Sequence, residues 1–235
     1  MKQLFATMLI LCSLALALPA WAASTGGVET HALTTTDGTV PHEVKAEVVS
    51  YLGREAVHVT VPPTHKGLNE GGKDNNCFLL VTKDGFHNGV IELDVAGKPS
   101  LGAPAWARGF VGVVFRVDQA MDAYEGFYLR PMNALEEGPR RNFSAQYFSF
   151  PDHTWNQLRE AFPGKYEAYA PVTPGEWTSL RLEIQGASAR FFANGELVLT
   201  VDEMFGGADM NGGIGLFTEP VTDAYFSNLR ITHSK

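Results

Sequence analysis

The sequence predicts an all-β protein, a two-sheet antiparallel jelly-roll sandwich with one short helix. Three observations carry this. Short segments alternating apolar and polar residues recur along the chain, with Gly, Pro, Asn and Asp between them. Helical periodicity is confined to one stretch. About a dozen strands in one chain cannot remain a single open sheet, so they must close or stack and bury alternate residues. Of those options a jelly roll fits best.

The elements follow in order. Segments 44–50 and 55–61 flank Leu52-Gly53 as a hairpin, ended by Pro62-Pro63; 66–76 is rich in Gly, Asn and charge and reads as a loop. Further strands are expected at 78–82, 90–96, 110–118, 124–130 and 145–150. Leu180, Leu182 and Ile184 alternate with Ser179, Arg181 and Glu183, the period of a half-buried strand. Gly186 breaks this run, 189–193 resumes it, and Asn194-Gly195 forms a favoured hairpin turn before 197–201. Strands at 213–217 and 225–232 close the chain. The helix is expected at 155–162, with Asp152 or Thr154 as cap and Pro163-Gly164 as stop.

The first 22 residues read as a cleaved signal peptide. Lys2 gives a positive start, residues 4–18 are apolar, and Pro19-Ala20-Trp21-Ala22 places small residues before Ala23. That apolar run of about 15 residues is short of a membrane span. Cys12 has Leu11 before it, where a lipoprotein signal would place a small residue. Residues 23–235 then form one domain, periplasmic or secreted, with no membrane insertion after cleavage. Lys2 is the one charge lost, so the net charge falls from −8 to −9. An acidic chain without a basic run argues against nucleic acid as a partner. Cys77 alone remains after cleavage, which excludes an internal disulfide, and its apolar neighbours predict a buried thiol.

Alternation also suggests a site. Glu92 and Asp94 oppose the apolar Ile91, Leu93 and Val95. Arg116 opposes Phe115 and Val117, while Tyr124, Tyr128 and Arg130 oppose Phe127 and Leu129. If these three strands are neighbours, the six residues share one outward face, with gaps at Gly112 and Gly126. Carboxylates, guanidinium groups and tyrosines suit a carbohydrate ligand, through charge-assisted bonds and ring stacking. Glu92 and Asp94 are the catalytic candidates; Arg116, Tyr124, Tyr128, Arg130, Arg141 and Gln146 are the substrate-binding candidates. The plain alternative is a solvated face with cross-strand ion pairs.

No serine nucleophile elbow, phosphate-binding glycine loop or zinc spacing is present. Neither Asp74-Asn75-Asn76 nor Asp209-Asn211-Gly212 fits an EF-hand loop. No metal and no cofactor is predicted.

Gly175-Glu176-Trp177, the alternating strand after it, Arg190-Phe191-Phe192-Ala193-Asn194-Gly195, Gly213-Ile214-Gly215-Leu216 and Phe226-Ser227-Asn228-Leu229-Arg230-Ile231 occur in order. So do 86–93 and 112–116. This set resembles the concanavalin A-like lectin/glucanase superfamily, nearest the laminin-G-like jelly rolls known as 3-keto-disaccharide hydrolases. The resemblance implies a glycoside hydrolase acting on 3-keto-glycosides. Glucanases of the superfamily carry Glu-x-Asp-x-(x)-Glu on one strand; Glu92 and Asp94 match, but Ala96 and Gly97 stand at the third carboxylate. The hydrolase branch shows a Tyr-Glu-x-Gln-like strand and a His-Trp-x-Asn-Gly-like hairpin, where this chain has Gly126-Phe127-Tyr128-Leu129-Arg130 and Arg190-Phe191-Phe192-Ala193-Asn194-Gly195. A non-catalytic carbohydrate-binding module and an envelope interaction sandwich therefore stand beside the enzyme.

Overall fold

The computed structural model describes residues 26–65 and 76–234. The signal segment and nearly all of the 66–76 loop lie outside the described residues. In chain order the strands are β1 (Val28–His31), β2 (Val40–His42), β3 (Lys45–Tyr51), β4 (Arg54–Thr60), β5 (Phe78–Phe86), β6 (Asn88–Pro99), β7 (Val111–Val117) and β8 (Tyr124–Leu129). Then come α1 (Pro131–Ala134), a 3-10 turn (Pro139–Phe143), β9 (Ala145–Phe150), α2 (Trp155–Ala161) and β10 (Glu167–Ala168). The last five strands are β11 (Thr178–Gln185), β12 (Ser188–Ala193), β13 (Glu196–Val201), β14 (Gly212–Thr218) and β15 (Thr222–Ser234).

Two antiparallel sheets form the sandwich. One runs β13-β12-β11-β6-β15-β4-β3, with β1 also against β15; the other runs β10-β9-β8-β7-β14-β5-β2. The expected strands and helix are all present. β1, β2 and β10 were not anticipated, being two to four residues long and too short for alternation to show.

Local chemistry explains the joints. Asn194 and Gly195 both take positive φ, 51° and 82°, which lets β12 turn tightly into β13. At α2, Thr154 is the cap, and its N–H donates to Gln157 Oε1 at 2.8 Å. Between the sheets, Phe127 of β8 stacks on Phe191 of β12 at 4.5 Å, and Ile91, Leu93, Val113, Phe115 and Leu182 fill the same layer. Cys77 is fully buried, and burial raises its thiol far above the ordinary range, so it remains a protonated, inert filler.

One expectation is overturned. β7 and β8 are neighbours, but β6 belongs to the other sheet, between β11 and β15. Residues 100–110, which join β6 to β7, cross from one sheet to the other.

Candidate functional site

Glu92 and Asp94 do point away from the core, as alternation requires, but from the eight-stranded sheet. Glu92 accepts from Arg181 at 2.7 Å and Arg230 at 3.0 Å, its register neighbours on β11 and β15. Asp94 accepts from Arg54 and Asn228 at 2.7 and 2.8 Å. These are cross-strand pairs on the surface of a sheet. Tyr124, Tyr128 and Arg130 face outward from the opposite sheet, so both layers of the sandwich separate the two groups. The expected common hollow does not exist.

Arg116 is a second correction. It sits at a register shift between β7 and β14 with φ of 56°, a bulge that breaks the alternation. Its fully buried guanidinium points to the end of the inter-sheet layer. There it donates to the carbonyls of His87, Gly186 and Gly207 at 2.7–3.1 Å and to Asn88 Oδ1 at 3.4 Å. These bonds tie three loops together and leave Arg116 no route to a ligand on the outer face.

The outer side of the seven-stranded sheet carries an aromatic platform whose rings Tyr124, Tyr128, Phe78, Phe148 and Phe217 are buried, not open to solvent as alternation had suggested. Tyr124 stacks on Phe150 at 5.1 Å and meets Phe78 and Phe148 edge-on. Tyr128 stacks on Phe217 at 5.3 Å and lies against Phe148 and Phe110. The glycines expected to leave gaps are instead covered. A Cβ at Gly126 would be driven into the Phe148 ring, one at Gly215 would sit 2.9 Å from Phe78, and Gly112 is closed by Tyr128. Rings on neighbouring strands thus lie over the bare backbone.

Polar groups border this platform. Arg130 is buried and donates to the Tyr128 hydroxyl at 2.7 Å, to Glu167 at 3.1 Å and to Gln146 Oε1 at 3.3 Å. Arg159 grips the same Glu167 and lies 4.8 Å over Trp155; Arg130 is 5.8 Å from that ring. Tyr128, Arg130 and Gln146 therefore do come together, but as a buried hydrogen-bonded cluster and not on the open face expected. Arg141 is exposed on the 3-10 turn, over Tyr169 at 4.3 Å. At the other end, the fully buried Tyr124 hydroxyl has no hydrogen-bond partner; in α1, near Arg130, the buried Asn133 Oδ1 also has none. Buried polar atoms are normally satisfied, so the orphaned Tyr124 hydroxyl marks a place where a ligand hydroxyl would fit.

Glu219, just past β14, was not singled out from sequence. Burial pushes the Tyr124 and Tyr128 hydroxyls well above the tyrosine range; Arg130 opposes this at Tyr128, and the Glu219 charge adds to it at both. Glu219 is thus a buried carboxyl whose charge is felt at both tyrosines. Lying in Thr218-Glu219-Pro220, beyond its strand, it had no alternation to assign it a face. Glu167 and Arg159 were missed as partners for the same reason: they come from a two-residue strand and the helix. Among the described residues no group of three or more His, Cys, Asp or Glu could hold a metal ion.

The fold and this platform can now be set beside known proteins. The 3-keto-alpha-glucoside-1,2-lyase-like domain matches residues 18–232, nearly the whole chain. The chain belongs to this family. Among solved structures, this 3-keto-alpha-glucoside-1,2-lyase-like domain shares its fold with the carbohydrate-binding module CBM66 of Bacillus subtilis. The TM-score is 0.52 at 14% identity, covering 83% of this chain and 96% of that one. It also matches a beta-glucanase of Bacillus licheniformis, with TM-score 0.52 at 12% identity and 89% and 99% of the two chains covered. A Bacillus subtilis protein of unknown function with a galectin-like fold gives 0.55 at 12% identity, covering 89% and 98%. At such identities these likenesses establish the jelly-roll fold alone. No curated protein sequence matches the chain. No helix among the described residues is long and apolar enough to cross a membrane.

Proposed function

We propose that this chain is an exported carbohydrate-active enzyme that binds a 3-keto-α-glucoside on the outer face of the seven-stranded sheet. It then eliminates the group at C1. The observation that carries this reading is the buried, unpartnered Tyr124 hydroxyl within the aromatic platform, where the charge of the buried Glu219 is felt. Aromatic faces suit the apolar side of a pyranose, and the family name supplies the keto sugar.

The chemistry follows from the keto group. A carbonyl at C3 acidifies the proton on C2. Glu219 takes that proton as general base, and Tyr124 donates a hydrogen bond to the carbonyl oxygen, where negative charge develops. The C1–O bond then breaks, its electron pair leaves with the departing oxygen, which takes up a proton, and a C1=C2 bond forms. Hydrolysis would instead consume water and leave a keto sugar without that double bond, so the product separates the two routes. Export rests on the 1–22 segment.

A second reading, binding without turnover, is favoured by one observation: both carboxylate oxygens of Glu167 are held by Arg130 and Arg159, which leaves it no freedom as a base. Incubation of the mature protein with 3-keto-α-glucosides, read for binding and for product, decides between them. We expect product in the wild type and a loss of about 10²–10⁴-fold in rate in Glu219→Gln with binding retained. Binding without product would establish the second reading, and full activity in Glu219→Gln would remove Glu219 from the base role.

A further inference from the structure

A cavity lies away from this platform, at the open edge of the sandwich where β2 and β3, the edge strands of their respective sheets, come side by side. It measures about 560 Å³ and lies within the size range of small-molecule sites. Thr36 and Thr39 of the turn before β2 form one wall, Lys45 and Glu47 of β3 and His58 and Thr60 of β4 form another, and Pro41, Val44 and Leu79 supply an apolar strip.

The walls are held in place by their own chemistry. Thr39 N–H and Oγ1 both donate to the Thr36 carbonyl, at 3.2 and 2.7 Å, and Gly38 at φ 79° closes the turn. His58 packs against rings and lies near two carboxylates, while its buried Nε2 makes no hydrogen bond. Its ring stacks on Tyr225 at 4.5 Å, Tyr225 stacks on Tyr51 at 3.6 Å, and its two nitrogens lie 3.4 Å from Glu47 and Asp223. Groups already placed lose little entropy on binding, which holds here for the turn and for the stacked His58 ring.

The lining also narrows the ligand. Pro41 removes a backbone donor from one edge strand, and Lys45 and Glu47 put charges on the other, which disfavours addition of a peptide strand. Lys45 and Glu47 balance in charge, so neither an anion nor a cation is selected. The Thr36 and Thr60 hydroxyls can both donate and accept, Thr39 Oγ1 can still accept, and the apolar strip can cover C–H groups. We infer that this edge cavity is a second binding site, for an uncharged polyhydroxylated molecule of one or two sugar rings. It is independent of the platform and of any turnover there.

The test is amide chemical-shift mapping of the 15N-labelled mature protein with trehalose as the neutral probe and glucuronate as the charged one. Trehalose is expected to give saturable shifts at residues 36–47 and at His58 and Thr60. Affinity is expected to fall at least tenfold in Glu47→Ala and in Thr60→Val and to stay unchanged in Glu219→Gln. Wild-type dispersion in both edge variants shows that they fold, and Glu47, with an exposed side chain, carries the test if Thr60→Val does not. The inference is overturned by an absence of saturable shifts, by shifts confined to β8, β9 and β14, or by tighter binding of glucuronate. Failure of the platform reading, with no keto sugar bound there, leaves this result untouched.

Discussion

Arg116 and Glu92 show how differently two charged residues on strands can act. Arg116 is fully buried and serves three backbone carbonyls, so its loss strands those acceptors in a dry layer. Glu92 lies partly in solvent between two arginines, where a pair is worth little. Arg116→Met is therefore expected to cost about 3–5 kcal/mol, and Glu92→Gln less than about 1 kcal/mol, read from urea midpoints of the two variants. Equal losses would contradict the assignment. Alternation in the sequence placed Glu92, Asp94, Tyr124, Tyr128 and Arg130 on the correct side of their strands. It failed at Arg116 because a bulge inserts one residue against the partner strand, and no local signal in Val113-Val114-Phe115-Arg116-Val117 marks it.

At the level of elements, the loop between β13 and β14 is clamped by buried groups of β7, β8 and β9. Glu125 accepts from Gly206 N–H and from the Tyr147 hydroxyl, Tyr147 Oη accepts from Phe205 N–H at 3.0 Å, and Arg116 holds the Gly207 carbonyl. Burial raises Glu125 above the ordinary carboxyl value of 4.5, more than the bonds from Tyr147 and Gly206 and the charge of Arg116 lower it. The folded state thus keeps a proton that the unfolded chain has released. The associated stability is complete below about pH 4.5 and is lost as pH rises through the raised value. Urea midpoints of wild type and Glu125→Gln, compared from pH 4.5 upward, should show the wild type declining relative to the variant. Parallel curves would contradict this. The strands themselves were legible from the period of two, as was the Asn194-Gly195 turn. Which sheet each strand joins was not, since 100–110 could have returned β7 beside β6 as readily as carried it across.

For the whole molecule, the sandwich presents two unlike outer surfaces. The eight-stranded sheet carries Glu92 and Asp94 in cross-strand ion pairs, and the seven-stranded sheet carries linked rings with Arg130, Gln146, Tyr124 and Glu219 around them. Family membership and the choice of face together define the functional account. The most direct measurement is a crystal structure with an uncleaved 3-keto-α-glucoside analogue. The account predicts sugar density against Tyr124, Tyr128 and Phe148, with a sugar oxygen within about 3 Å of the Tyr124 hydroxyl. Density seated over Glu92 and Asp94, with the tyrosine platform unchanged, would contradict it.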